Sequence, residues 1–250
     1  MNDSLDILFR DEWLVVVDKP SGIHVHPTDL SPGERTCLEM LRDQLGGYVW
    51  PVHRLDRATS GVQIFALNPV TMARMSEIFR ERAVRKTYWA VVRGFLPDDG
   101  YIDHALQNHS HTKTRDAETL YRCLARAEVD ESVGEFATAR YSLAEATPLT
   151  GRRHQLRRHF RHIAHPIIGD TTYGDTRHNI FYRQRFGLHR LLLAAVAITF
   201  PHPYSGERRH VAASLPAEWH PLFVAFGWES LAAIGDAVPP QPLEHSEEQP

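Results

Sequence analysis

The sequence predicts an α+β fold built on a mixed or antiparallel sheet. Strand-like and helical segments are interleaved without regular strand–helix–strand alternation, which favours this class over a doubly wound parallel sheet. The long apolar stretch at residues 189–200, HRLLLAAVAITF, is typical of a buried central strand. With 42% hydrophobic and 24% charged residues, the 250-residue chain has the composition of a globular protein. We therefore expect one domain over residues 1–234, followed by a disordered, Pro-rich acidic tail at 235–250.

Local signals define the elements in chain order. Clusters of β-branched and aromatic residues between turn-forming residues predict strands at 5–8, 13–17, 62–67, 86–92 and 138–146. Apolar residues at helical spacing predict helices at 36–45, from Pro69 onward, at 153–163 and at 214–228. Asn68 before Pro69 is a strong helix start, because Asn caps orphan N–H groups and Pro fits the first turn. Residues 98–135 are polar and without clear period, which indicates an excursion with little core of its own.

Charge is unevenly distributed along the chain. The formal net charge is −3, but residues 141–210 carry eleven arginines and four carboxylates, a local balance of +7. A basic half can form an anion-binding face whatever the total charge is. No apolar run is long enough to span a bilayer, and the N-terminus lacks the basic and apolar regions of a secretory signal. We therefore expect a cytoplasmic protein without a membrane partner.

Several classes of chemistry lack their signatures. The chain contains no phosphate-binding glycine loop, no dinucleotide fingerprint and no nucleophile elbow around Ser60. Sixteen histidines suggest a metal site, and His159 and His162 have a possible ligand spacing. Their neighbours are arginines, however, which would repel a cation. We expect no metal and no cofactor.

The stretch PVHRLDRATSG at residues 51–61 places Asp56 between Arg54 and Arg57. A carboxylate close to guanidinium groups is held ionised, so it would be a poor proton donor but a competent nucleophile or electrostatic stabiliser. A surface salt bridge near a turn would produce the same string.

A second basic stretch, TGRRHQLRRHFRHIAHPIIGD, occupies residues 150–170. Arg153, Arg157 and Arg161 recur at spacing four and would share a helix face, while Leu156 and Phe160 supply a packing side. Such a face suits phosphates or one buried carboxylate. Taken alone, the segment fits a solvated basic helix as well.

Together these segments resemble the RluA-type pseudouridine synthases. The matching motifs occur in the order found in that family and are Asp18-Lys19-Pro20-Ser21-Gly22, His53-Arg54-Leu55-Asp56 with Thr59-Ser60-Gly61, Lys86-x-Tyr88, Gly151-Arg152-x-His154-Gln155-Leu156-Arg157 and His165-Pro166-Ile167-Ile168-Gly169-Asp170. The resemblance covers roughly residues 5–228. It implies the pseudouridine-synthase catalytic domain: a long bent mixed sheet, flanking helices and a central cleft. It also implies isomerisation of uridine to pseudouridine in RNA without a cofactor.

The resemblance assigns roles to individual residues. Asp56 would be the nucleophile or its electrostatic equivalent, and whether it attacks C1′ or acts while a proton leaves C2′ stays open. Arg157 would be its ion-pair partner, and Tyr88 would stack on the uracil ring and is a candidate to take a proton. The expected substrate contacts are Arg54 in base flipping, Leu156 as an apolar wall, His53, and Arg152, Arg153 and Arg158 towards phosphates.

The same resemblance bears on the partner. Residues 7–22, 186–195 and 225–231 resemble family members that act on transfer RNA, and they imply uridine 65 of transfer RNA as the target. The absence of an N-terminal segment long enough for an S4-type RNA-binding domain supports this branch. A synthase acting on ribosomal RNA and an RNA-binding protein without isomerase activity are the alternatives. A metal-dependent hydrolase is a weaker one.

Overall fold

The computed structural model describes residues 4–28, 32–108, 110 and 112–231. Within these residues the chain forms five α-helices and twelve strands. The strands are β1 (Asp6–Arg10), β2 (Leu14–Lys19), β3 (Trp50–Pro51), β4 (Ser60–Ala66), β5 (Arg85–Arg93), β6 (Asp99–Asp103), β7 (Leu106–Gln107), β8 (Thr114–Arg115), β9 (Glu118–Val129), β10 (Ala139–Pro148), β11 (Leu193–Pro201) and β12 (Arg208–Ala212). The helices are α1 (Cys37–Leu45), α2 (Pro69–Arg80), α3 (Gln155–His162), α4 (Thr176–Phe186) and α5 (His220–Phe226).

A ten-stranded mixed sheet organises the fold. Its main path runs β1-β2-β4-β11-β5-β10-β9-β6, with β3 paired to β4 and β12 paired to β11. The pairing of β4 with β11 is parallel and the other pairings are antiparallel. The α+β class with a mixed sheet, predicted from the sequence, is confirmed.

β11 lies at the centre of the sheet and is buried over nearly its whole length, as its apolar sequence predicts. Its first residues pair with β4 on one side and β5 on the other, so the segments that carry Ser60 and Tyr88 become neighbours. The approach to β4 requires Gly61, whose φ is +108° and whose missing Cβ would overlap the main chain of Ala195. β11 therefore joins the two halves of the site.

The helix signals in the sequence correspond to helices in the structure. Asn68 caps α2 by accepting a hydrogen bond from the Thr71 N–H at 2.8 Å, and Pro69 is the first helical residue, as predicted. α1 begins after Thr36, whose hydroxyl forms a reciprocal capping box with Glu39. α4 has no counterpart among the predicted elements. Among the described residues, none of the helices combines the length and apolar character needed to cross a bilayer.

Residues 98–135 correct one expectation. The segment is not an excursion without core: it supplies β6 to β9, and the twelve-residue β9 extends the main sheet alongside β10. The apolar pattern of a strand is weak in β9 because the strand carries arginines whose charges are paired with distant carboxylates. Arg122 pairs with Glu145 on β10 at 3.1 Å, and Arg126 pairs with Asp98, just before β6, at 2.6 Å. The tail expected at 235–250 lies outside the described residues, and the division of the chain at residue 234 stays a prediction.

Candidate active site

Asp56 lies in the loop between β3 and β4, and three contacts from the last residue of β2 and the turn that follows it fix this loop. Lys19 is fully buried, and its Nζ donates to the main-chain oxygens of Pro20 and Ile23, both at 2.8 Å, and of Arg57 at 3.3 Å. The Ser21 hydroxyl donates to Ala58 O at 2.7 Å, and the Gly22 N–H donates to Arg57 O at 2.8 Å. Residues of the Asp18-to-Gly22 motif thus hold the Asp56 loop in place through hydrogen bonds to its main chain.

The charge that faces Asp56 comes from α3, where Arg157 Nη1 lies 3.7 Å from Asp56 Oδ2. The arginines next to Asp56 in sequence are placed differently. Arg57 turns to the opposite side, where its Nε donates to Gly22 O at 2.8 Å and its Nη2 lies 3.1 Å from Glu34. Arg54 is exposed. Asp56 is therefore not paired with its sequence neighbours Arg54 and Arg57, although the sequence suggested this pairing. Its partner is Arg157, as the resemblance implies.

Asp170 positions Arg157. The Arg157 Nε and Nη2 atoms donate to the two Asp170 carboxylate oxygens at 2.7 and 2.8 Å, in a buried bidentate pair. Asp170 also accepts from the main-chain N–H groups of Thr172 and Tyr173 at 2.8 and 2.9 Å. Burial acts to raise the pKa of Asp170, but these bonds, Arg157 first, outweigh it and leave the pKa below its usual value. Asp170 therefore stays ionised and orients the guanidinium.

His154 is a second contact of Asp56, which the sequence motifs contain but did not single out. Its Nε2 lies 3.9 Å from Asp56 Oδ1, and its Nδ1 lies 3.2 Å from the Tyr173 hydroxyl. Burial lowers the pKa of His154, with the Asp56 charge acting in the opposite direction. The residue has φ of +54°, an uncommon conformation for a non-glycine residue, and such strain is concentrated at functional sites.

Tyr88 and Leu156 form the apolar side of the site. Both belong to one hydrophobic cluster that also includes Ala58, two residues after Asp56. Burial, with a smaller contribution from the Asp56 charge, raises the pKa of Tyr88 above its usual value, so the phenol is protonated at neutral pH. The structure thus brings Asp56, Arg157, Tyr88 and Leu156 together, which the sequence could only imply by resemblance.

His53 makes contacts within the protein that the sequence did not predict. Its Nε2 accepts a hydrogen bond from the Ile64 N–H at 3.1 Å, its ring stacks on Phe79 at 5.3 Å, and its main-chain oxygen accepts from Gln63 at 2.8 Å. Burial lowers its pKa to about 3. These contacts hold the Asp56 loop to β4, and the expected contact of His53 with substrate stays a prediction.

The arginines of the basic stretch lie around the start of α3. Arg153 is exposed, whereas Arg152 Nε donates to Asp116 O and Arg158 Nη1 donates to Gln107 O, both at 2.9 Å. Their positive charges therefore lie between α3 and the segment that contains the β7–β8 hairpin.

The histidines of α3 do not form a metal site. His159 uses both ring nitrogens internally, with Nδ1 3.0 Å from the Thr119 hydroxyl and Nε2 3.0 Å from His104 O. In the part of the chain that the structure describes, no group of three or more His, Cys, Asp or Glu side chains is placed to hold a metal ion.

Comparison with known proteins places this geometry in a family. The sequence model described as RNA pseudouridylate synthase matches residues 13–162, a span that includes Asp56, Tyr88 and Arg157. The chain belongs to the RNA pseudouridylate synthase family. It is an RNA pseudouridine synthase by this membership, as the motifs predict.

Curated relatives cover nearly the whole chain. A tRNA pseudouridine synthase C of Vibrio parahaemolyticus is 42% identical over 236 residues, which are 90% of this chain and 96% of the relative. A protein of the same name from Haemophilus ducreyi is 43% identical over 234 residues, again 90% of this chain and 96% of the relative. The similarity therefore extends beyond the matched motifs.

Solved structures share the fold. Human RNA Pseudouridylate Synthase Domain Containing 1 superposes with a TM-score of 0.71 at 25% identity, covering 96% of this chain and 98% of that chain. Human RNA Pseudouridylate Synthase Domain Containing 4 gives 0.67 at 25% identity, covering 87% and 92%.

Proposed function

We propose that this protein isomerises uridine to pseudouridine in transfer RNA, with Asp56 as the reacting carboxylate. The observation that carries the proposal is the arrangement of Asp56 facing Arg157, whose guanidinium is fixed by Asp170, beside the Tyr88–Leu156 wall. Membership of the RNA pseudouridylate synthase family supplies the reaction type.

The reaction needs groups of the kind this site contains. The bond from ribose C1′ to uracil N1 breaks, the free uracil turns, and a bond forms from C1′ to C5. A proton leaves C5 and N1 gains one, so the product is an isomer and no electrons are exchanged with another molecule. An ionised carboxylate near C1′ can attack that carbon or remove the proton at C2′. Asp56, paired with Arg157 and partly exposed to the cleft, fits either route.

The base must leave its stack before it can react. Extrusion of a paired base costs a few kcal/mol in lost stacking and pairing, which protein contacts must offset. In our proposal the exposed Arg54 replaces the extruded base, Tyr88 stacks on the uracil, and Leu156 limits its movement. Arg152, Arg153 and Arg158 bind phosphates, which position the RNA without reading its sequence.

The substrate assignment rests on the relatives. Proteins named tRNA pseudouridine synthase C match this chain at about 40% identity over some nine-tenths of its length. The segments at 7–22, 186–195 and 225–231 favour the same branch and, through it, uridine 65. We propose that the protein acts on transfer RNA in the cytoplasm and without an obligate protein partner.

The test compares the protein with an isosteric variant, Asp56→Asn, on unmodified tRNA and rRNA transcripts, in the presence of EDTA. Pseudouridine is mapped by carbodiimide labelling and primer extension. Asp43→Asn is the matched control, because Asp43 is exposed and pairs with Arg35 in front of α1, outside the site. We expect a stop at position 65 of tRNA, present in the control and absent in Asp56→Asn.

The other outcomes separate the alternatives. Stops confined to rRNA would keep the reaction and overturn the substrate. Tight binding to RNA without any pseudouridine would favour a binding protein. Loss of product on adding EDTA, with restoration by a metal, would favour the metal-dependent alternative.

A further inference from the structure

Lys86 belongs to the same sequence motif as Tyr88, but none of the roles above involves it. It precedes Tyr88 by two residues on β5, so both side chains point to the same face of the sheet, about 6.6 Å apart along the strand. The side chain is partly buried, and its Nζ donates to Thr150 O at 3.4 Å, next to the start of the basic stretch. On the proposed function, in which Tyr88 stacks on the uracil, Lys86 therefore lies close to the target nucleotide.

The charge of Lys86 is not compensated. Among residues 4–28, 32–108, 110 and 112–231, no carboxylate lies within 4.0 Å of its Nζ, whereas Arg93, Arg122 and Arg157 each have a carboxylate within that distance. Burial lowers the pKa of Lys86 to about 8, so the ammonium is protonated at neutral pH. Its hydrogen bond to Thr150 O uses one of three N–H groups and leaves two for other acceptors. A partly buried cation without a counter-ion is costly, and a bound anion would relieve the cost.

The chain leaves space at this ammonium. Gly151 has no side chain, and a Cβ built on it would lie 4.0 Å from Lys86 Nζ, with no other atom closer. Arg152 and Arg153 follow directly in sequence. The side of Lys86 Nζ next to Gly151 is therefore not filled by a side chain of that residue, which leaves room for an anion beside the ammonium.

We propose that Lys86 Nζ binds a backbone phosphate of the substrate RNA next to the nucleotide that stacks on Tyr88. The inference rests on the proposed function, since it takes Tyr88 as the position of the target uracil. Thr150 O, at a long 3.4 Å, is the one acceptor that the described residues offer to Lys86 Nζ, whereas the buried Lys19 Nζ donates to three main-chain oxygens. An ammonium acts on phosphate as a point charge, so Lys86 adds affinity without reading sequence.

The first experiment measures affinity for an unmodified tRNA transcript as a function of KCl concentration. We expect Lys86→Gln to raise Kd about tenfold and to reduce the slope of log K against log salt by about 0.7–0.9, the value for one lost phosphate contact. Lys86→Arg should retain the slope. The matched control is Arg140→Gln, which also removes one positive charge. Arg140 pairs with Glu128 near the start of β10, whereas Lys86 contacts Thr150, just after the end of β10. The control should leave Kd and slope unchanged.

Turnover separates binding from a structural role. With saturating RNA, Lys86→Gln should retain kcat within about threefold while KM rises with Kd. An unchanged slope, or a loss of kcat at unchanged Kd, would overturn the phosphate contact. Pseudouridine formation by the wild-type protein together with an unchanged slope would refute this inference alone. A Lys86-dependent slope without any pseudouridine would refute the proposed function alone.

A measurement on the wild-type protein covers the case in which Lys86→Gln fails to fold. The chain has three lysines, Lys19, Lys86 and Lys113, so labelling at lysine Cε gives three side-chain NMR signals. The signal absent from Lys86→Arg is assigned to Lys86. It should shift on adding the tRNA transcript, and the shift should disappear at high KCl. A Lys86 signal that does not move in saturating RNA would refute the contact.

Discussion

Asp170→Asn is the most informative substitution outside the reacting groups. It changes the charge of a buried side chain whose ion pair, among the described residues, is with Arg157 and not with Asp56. In the protein, Asp170 holds Arg157 through two charge-assisted bonds of 2.7 and 2.8 Å, and Arg157 Nη1 then lies 3.7 Å from Asp56. If orientation of Arg157 is what the pair provides, removing one charge should reduce both stability and catalysis.

The magnitude follows from the contacts that are lost. Removing one partner of a buried ion pair costs about 3–5 kcal/mol, because the other charge stays buried without compensation. The amide of the Asp170→Asn variant keeps one oxygen for the N–H groups of Thr172 and Tyr173, so we expect a loss of about 3 kcal/mol, the lower end of that range. A guanidinium displaced by about 1 Å from its working position can cost roughly 100-fold in rate.

The assay combines urea unfolding with the rate of pseudouridine formation in tRNA transcripts. Asp175→Asn is the matched control, because Asp175 forms a similarly short bond of 2.7 Å to Arg93 and caps α4, away from Asp56. Asp175→Asn should lose stability but keep its rate per folded molecule. If Asp170→Asn retains the wild-type rate once its folded fraction is counted, the idea that Asp170 orients Arg157 is refuted.

Two further predictions concern the framework of the site. Gly61→Ala should cost several kcal/mol of stability and lower activity, because a Cβ would overlap the main chain of Ala195. The control Gly206→Ala, at φ +72° with open space, should cost only about 1–2 kcal/mol. Equal unfolding free energies for the two variants would contradict this explanation. His53 has its pKa lowered to about 3 by burial, so between about pH 6.5 and 3 the unfolded chain binds a proton there that the folded chain does not, and stability falls as the pH falls through this window. At pH 5 this loss should be about 2 kcal/mol relative to pH 7.5, since each pH unit is worth about 1.4 kcal/mol; His53→Gln should remove that part of the pH dependence, and urea unfolding at both pH values checks it.

The sequence was informative where local chemistry decides structure. Asn68-Pro69 starts α2 because the cap and the first turn depend only on neighbouring residues. β11 is buried because a long apolar run is stable only when it is removed from water. The Asp56 and Arg157 motifs could be matched by resemblance, and the structure brings them within 3.7 Å.

The remaining features depend on contacts that are distant in sequence. Nothing local shows that Lys19 would lose its solvent and bind Arg57 O, 38 residues away. β9 was hidden because its arginines are compensated by carboxylates on other strands and loops, which a pattern of apolar residues does not reveal. Asp170 belongs to a motif that the sequence contains, but its hydrogen bonds to Arg157 could not be predicted. They depend on the segment before α4 packing next to α3, which only the structure shows.

The distances within the charged network are unequal, and this bears on the proposed role of Asp56 as the reacting carboxylate. A bidentate pair between Arg157 and Asp56 would stabilise the carboxylate of the resting enzyme, and that stabilisation would have to be given up as the carboxylate attacks. In the structure the bidentate pair of Arg157 is with Asp170. Asp56 has two longer contacts, one of 3.7 Å to Arg157 Nη1 and one of 3.9 Å to His154 Nε2. Arg157 thus supplies a fixed positive field, while the charge of Asp56 is only partly satisfied. Because Arg157 is paired mainly with Asp170, the charge of Asp56 would, in the proposed reaction, remain available to stabilise the positive charge that develops at C1′.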